Sequence, residues 1–187
     1  MRKYLSSQKW AKFSPAQLEL SSYQMNFDNI LESIINENPS LISEDIGIKE
    51  IIMNETVPDK LVGYMRRSEY THFRKELRLK LLAYETQVTP LIQEKLLHNG
   101  QDFFIETAVR FFMYTKQNPC EWIMQNYTSF RSEYLKSLLC LVLGIRGTNE
   151  YISFLKNEAN RFSKAFPSET FNEGPLCGLQ AILEKQN

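Results

Sequence analysis

The chain has 187 residues, 43% hydrophobic and 24% charged, which is enough to bury a sizeable core and is unlike a disordered chain. Twenty-two basic and twenty-two acidic residues cancel, so net charge gives no support for binding nucleic acid or an anionic membrane. Cys120, Cys140 and Cys177 stand far apart, with no pair at the spacing of a zinc knuckle or redox site, a usage that fits a reducing compartment.

In chain order, Met1 leads into charged and polar residues with no apolar h-region behind them, so no signal peptide is evident and cytoplasm is the expected location. Ser14-Pro15-Ala16-Gln17 predicts a helix start, with Ser14 as cap, Pro15 in the first turn and Gln17 completing a capping box. Leu20, Tyr23, Phe27, Ile30, Leu31 and Ile34 mark one face of that helix, and Pro39 ends it. A second helix is expected from about Ser43 to Met53, and Pro58 opens a short third. From there helices are expected in pairs, A then B. The first B helix spans roughly Tyr70 to Glu85. A second A helix starts at Thr89-Pro90, and its B helix at about Gln101. A third A helix starts at Asn118-Pro119-Cys120-Glu121, and its B helix runs from about Phe130 to Arg146. The last A helix starts at Thr148 and the last B helix at Gly174-Pro175, after a longer connection over Phe166 to Glu173. No segment alternates with period two over a useful length. The longest apolar run, Leu138 to Leu143, is too short to span a bilayer, and no membrane partner is expected.

The B helices repeat at thirty-residue offsets: Phe73 to Tyr84 lands on Phe103 to Tyr114, then on Glu133 to Gly144. Apolar residues coincide at Leu79/Val109/Leu139, Leu81/Phe111/Leu141, Leu82/Phe112/Val142 and Ala83/Met113/Leu143. A fixed period in this range is the mark of stacked helical repeats, which usually work through a surface rather than a buried catalytic cluster. The stretch Leu143-Gly144-Ile145-Arg146-Gly147-Thr148-Asn149-Glu150-Tyr151-Ile152-Ser153-Phe154-Leu155 resembles the junction of a short HEAT-type repeat of the phycobilisome-lyase-like kind. Ala108-Val109-Arg110 and Gly174-Pro175-Leu176 resemble B-helix segments of the same family, and the likeness covers roughly residues 58 to 187. The family's Arg near the B-helix start is clear only at Arg74 and Arg131, and bulky residues replace its alanines. The resemblance implies an all-α, right-handed α-α superhelix, here of about five helix pairs, whose B helices line the concave side. Residues 1–187 are then a single helical-repeat domain, with 1–57 as N-terminal capping helices and 58–187 as the HEAT-like pairs.

Chemistry is sparse. Glu69 and His72 have the Glu-x-x-His spacing of a di-iron helix, but a second copy is absent. Glu94 and His98 share a helical face without a third ligand nearby in sequence. Both histidines read as surface or satisfied residues, with no metal and no cofactor implied. Cys140, inside an apolar run, reads as an inert thiol, and Cys177 beside Gly178 reads as close helix packing. No Gly-rich phosphate loop occurs, and a non-enzymatic role is expected.

The B-helix stripe is the candidate site. Glu76, Glu106 and Lys136 coincide at the repeat offset, as do Lys80, Arg110 and Cys140, with Arg74 and Arg78 at a basic edge. Residues four apart share a helical face, so these positions predict two parallel polar rungs, either a ligand-facing groove or inter-repeat ion pairs such as Glu106 with Lys136. Asp28 to Glu55 holds seven acids and one base, and Lys60 to Lys80 holds seven bases and two acids. That asymmetry is either a basic patch for an acidic partner or mutual neutralisation of neighbouring helices. Trp10, Phe13, Tyr114, Trp122, Tyr127 and Tyr151 are either core or anchors for a peptide or base. The leading expectation is a cytoplasmic protein- or peptide-binding module. The alternatives are a nucleic-acid-binding or DNA-repair protein of HEAT-like fold, favoured by the Lys60–Lys80 bases and opposed by Glu76 and Glu106, and an immunity or antitoxin-like inhibitor. The oligomeric state stays open.

Overall fold

A computed structural model describes residues 45–67 and 73–186. The helix expected from Ser14, the His72 site, Trp10 and Phe13 lie outside the described residues. Within them all regular structure is helical: α1 (Asp45–Asn54), α2 (Pro58–Tyr64), α3 (Arg74–Ala83), α4 (Glu85–His98), α5 (Asp102–Tyr114), α6 (Cys120–Asn126), α7 (Glu133–Arg146), α8 (Ile152–Ala165) and α9 (Glu173–Glu184). Short 3-10 turns at Tyr127–Ser129 and Asn149–Tyr151 lead into α7 and α8.

The odd-numbered helices pack in succession, α1 on α3, α3 on α5, α5 on α7 and α7 on α9, while even-numbered helices pack on odd neighbours and α2 also packs on α4. This alternation arises because each helix buries one stripe against its hairpin partner and another against the helix two places along. A single apolar cluster runs through the pairs, from Ile52 through Leu61, Leu81, Ile92, Phe104, Phe112, Ile123, Leu139 and Val142 to Ile182. None of the described helices is long and apolar enough to cross a membrane.

Local signals explain several boundaries. Pro58 starts α2 in its first turn, where its missing N–H costs nothing. Asn118 Oδ1 accepts the Cys120 N–H at 3.0 Å and Ser132 Oγ accepts that of Leu135 at 3.1 Å, so α6 and α7 are both preceded by a polar cap. At the other end of α7, Lys185 Nζ donates to the carbonyls of Gly144, Ile145 and Gly147 at 2.5–3.0 Å. A cation placed there offsets the negative end of the helix.

Two expectations need correction. The helix placed at Thr89-Pro90 begins four residues earlier, at Glu85, and Pro90 sits inside it. Tyr84 ends α3 and starts α4 without a linker, its carbonyl accepting the N–H groups of Gln87 and Val88 at 2.9 and 3.0 Å. The Glu85 carboxylate is anchored by the N–H groups of Lys116 and Gln117, 3.1 and 3.0 Å away in the loop after α5. That long-range tie outweighs the interior proline, and Thr89 Oγ1 donates to the Glu85 carbonyl at 2.7 Å in the same turn. Second, the repeat register is imperfect in α3. Val109, Leu139, Phe111, Phe112, Val142 and Leu143 are buried, but Leu79 is 56% exposed and Ala83 is also exposed. Leu82 and Leu141 are half-buried. α3 is shorter than its counterparts and turns at once into α4, so its last turn is not sandwiched as theirs are.

Candidate functional site

Glu106, on α5, is the hub of the polar stripe. Its Oε2 lies 3.3 Å from Arg74 Nη1 on α3 and 3.4 Å from Arg110 Nη1 one turn along, and its Oε1 accepts the Tyr134 hydroxyl of α7 at 3.1 Å. One carboxylate therefore joins three successive odd-numbered helices. Arg74 is held further by the Phe103 ring, 5.7 Å from its guanidinium, and Arg78 lies 4.1 Å over the ring of Tyr114. Burial lowers the Arg110 pKa to about 10, with repulsion from Arg74 adding to the effect and Glu106 opposing it. Burial, then the charge of Glu106, pushes Asp102 above the usual carboxylate value. The same two causes raise Tyr134, which stays a neutral donor.

The other rung positions are placed as follows. Glu76 pairs with Lys49 of α1 at 3.4 Å, its side chain 27% exposed. Lys80 Nζ donates to the Met53 carbonyl at 2.6 Å, and so ties α3 to the end of α1. Lys136 pairs with Glu133 at 2.9 Å on its own helix. The expected Glu106–Lys136 ion pair is not formed, because Lys136 sits beside Glu133 and Glu106 is taken by two arginines and a tyrosine. Arg78 and Arg110 are buried, each about 7% exposed, rather than facing an open groove. Arg74, Glu106 and Arg110 are thus brought together as a cluster and Arg78 packs on Tyr114, while Glu76, Lys80 and Lys136 each face a different partner. Glu106 does bond to the neighbouring helices α3 and α7, with partners that spacing alone did not name.

Cys140, expected to extend the second rung, is fully buried. Its Sγ lies 3.3 Å from the hydroxyl of Tyr127, which donates to Glu158 Oε2 at 2.6 Å. Arg161 clamps Glu158 from its Nε and Nη2 at 2.8–3.0 Å and reaches Glu133 Oε2 at 2.7 Å. Burial raises the Cys140 thiol to about 12 and the Cys120 thiol to about 11, so neither supplies a thiolate nucleophile near neutral pH. Glu133/Lys136 and Glu158/Arg161 are each three residues apart, a spacing that places both partners on one helical face. Nothing in the sequence joined Tyr127 to Cys140 or to Glu158, which are thirteen and thirty-one residues away.

Of the aromatic candidates, half-buried Trp122 packs against Phe112 and Phe130 with ring centroids 5.7 and 5.6 Å away, and buried Tyr127 packs edge-on against Phe154 at 4.8 Å. Tyr114 serves as the platform for Arg78, and Tyr151 is half-buried. Among the described residues, no group of three or more His, Cys, Asp and Glu is gathered as a metal ion requires. No protein-family model, curated protein or solved structure matches this chain.

Proposed function

We propose that this chain is a non-enzymatic binding module of HEAT-like, right-handed α-α superhelical form, which engages a protein or peptide along the face of its odd-numbered helices. The observation that carries this reading is the Glu106 cluster. It ties α3, α5 and α7 side by side, so polar residues of three neighbouring helices adjoin as a band, with Arg110 buried beneath it. Such a band is wider than one helix could offer, and its internal ion pairs hold its side chains in place before any partner arrives, which reduces the entropy lost on binding. The successive packing of odd on odd helices supports the superhelix. Mixed charge supports a protein partner over a polyanion, since Glu76 and Glu106 would repel a phosphodiester backbone.

The test is affinity capture from the native host with wild-type protein, the Glu76→Arg/Lys136→Glu double variant, and Lys156→Glu on the exposed side of α8 as control. The expected result is a specific protein retained by wild type and control and lost by the double variant, with unchanged circular dichroism. Loss with Lys156→Glu and retention with the double variant would move the interface to the even-numbered helices. Recovery of nucleic acid in place of protein, with a steep dependence on salt, would replace the protein-binding reading.

A further inference from the structure

α1 packs on α3, and α2 packs on α3 and α4, all of them later in the chain. Lys49 of α1 reaches Glu76 of α3 at 3.4 Å, and Ile51 lies about 200° round the helix from Lys49, so it faces away from α3. Ile51 is 55% exposed and Val57, the N-cap of α2, is 44% exposed. The buried side of α2 is made by Leu61 and Val62, and exposed Gly63 stands opposite Leu61. Glycine is a poor residue inside a helix and calls for a packing reason. Gly144 and Gly178 have one, since α7 and α9 touch there, but a Cβ on Gly63 would meet nothing within 4 Å among the described residues. Bare backbone beside exposed apolar side chains admits the close approach of another helix.

The border of this surface is basic. Lys60, three residues before Gly63 and on the same side of α2, has a side chain 65% exposed. From Pro58 to Arg67 there are three bases and one acid, Asp59, which pairs with Lys95 at 2.7 Å. The chain contains a segment of matching character. Forty-four residues precede α1, and the helix that the sequence predicts between Ser14 and Pro39 has one apolar face, Leu20, Tyr23, Phe27, Ile30, Leu31 and Ile34. Between Pro15 and Glu44 there are five acids and no base. Pro39 to Glu44 is a connection of six residues, a length that commonly joins two helices packed side by side. Docking of this segment on α2 would repeat the way α2 itself packs on α4.

We propose that residues 15–38 fold back as an amphipathic helix onto α1 and α2 of the same chain. Their apolar face covers Ile51 and Val57, their backbone approaches α2 at Gly63, and their acids border Lys60. The segment thereby closes the beginning of the helix stack, where exposed apolar surface would otherwise face water.

The experiment is limited chymotrypsin digestion of the full chain over a dilution series, with cut sites read by mass spectrometry. A single helix of this length is marginal in water, so resistance at Tyr23 and Phe27 reports docking. Wild type is expected to resist cleavage at both sites at every dilution. Ile51→Glu and Gly63→Leu, tested singly, should each speed cleavage there by about tenfold or more, because cleavage follows the population of the undocked state. Cleavage within α5 to α9 should stay unchanged. Gly63→Leu is the sharper variant, since on an uncovered helix surface it would only replace a poor helix former with a good one. Rapid cleavage at Tyr23 and Phe27 in wild type overturns the proposal, and so does resistance unchanged in both variants. Resistance lost on dilution overturns it in favour of a segment supplied by a second copy. Resistance that survives Gly63→Leu but is lost in Leu183→Glu, at an exposed leucine of α9, overturns it in favour of the other end of the stack.

Discussion

At Arg110 a charged residue that repeat spacing assigned to a ligand-facing rung is instead buried between helices, with Glu106 as its partner. The difference changes what mutation there does. Reversing the sign of Arg110 sets a buried carboxylate against Glu106, whose side chain is 26% exposed, so the cost approaches but does not exceed the about 3–5 kcal/mol of a fully buried pair. Arg110→Glu is therefore expected to lower the urea midpoint sharply, while Arg110→Met, which keeps the volume and leaves Glu106 bonded to Arg74 and Tyr134, loses less. Equal stability of Arg110→Glu and wild type would mean that the side chain is solvated. Glu133 makes a pH-dependent case. Burial pushes its carboxyl upward, but the hydrogen bonds and charges of Lys136 and Arg161 together outweigh that and hold it below its ordinary 4.5. A folded value below the unfolded one means that the unfolded state takes up the proton first. The contribution to stability is thus full above the unfolded value and is lost as pH falls through the folded one. Unfolding curves of wild type and Glu133→Gln should differ most near neutrality and converge on acidification below the ordinary glutamate range. A gap that stays constant into strong acid would refute the assignment.

Between elements, the closest approach is that of α7 and α9. A Cβ built on Gly144 would overlap the Cα of Gly178, and one on Gly174 would overlap the Ser137 carbonyl, so Ser137, Cys140 and Gly144 form the flat seam on which α9 lies. Cys177-Gly178 pointed to close packing from the sequence, because glycine inside a helix costs about 1 kcal/mol relative to alanine and needs a reason. Gly144→Ala should return that propensity yet destabilise the protein. Overpacking costs about 1–3 kcal/mol, and backbone on backbone can be relieved only by separating the helices. A melting temperature at or above that of wild type would show that α9 can move aside. α4 teaches the opposite lesson about helix starts: Thr89-Pro90 is a sound local signal, but the Glu85 carboxylate, bonded to two N–H groups of the loop after α5, extends the helix one turn upstream.

Over the whole molecule, Phe112 lies at 0% exposure in the cluster that runs from Ile52 to Ile182, so its loss should be felt along the stack. Phe112→Ala is expected to cost about 3–5 kcal/mol and to lower one cooperative transition rather than split it. An unchanged melting temperature would remove Phe112 from the core, and two separate transitions would show that the helix pairs do not share it.

The sequence by itself determined the helical class, the placement of most helices after residue 57 and the buried character of the thirty-residue register in α5 and α7. Those follow from local rules: apolar spacing near 3.6 residues, prolines near helix starts and a polar cap at Asn118. It also marked Glu76, Lys80, Glu106, Arg110 and Lys136, with Arg74 and Arg78 at the edge, as one stripe, of which the structure brings Arg74, Glu106 and Arg110 together. Tertiary structure alone decided which charges pair. Glu106 chose Arg74, Arg110 and Tyr134 over Lys136, because ion pairing depends on side-chain reach across a helix–helix contact whose rotation and offset no periodicity specifies. It likewise decided that Tyr127 meets Cys140 and Glu158. Residues far apart in the chain become neighbours only through the packing of the helices that carry them.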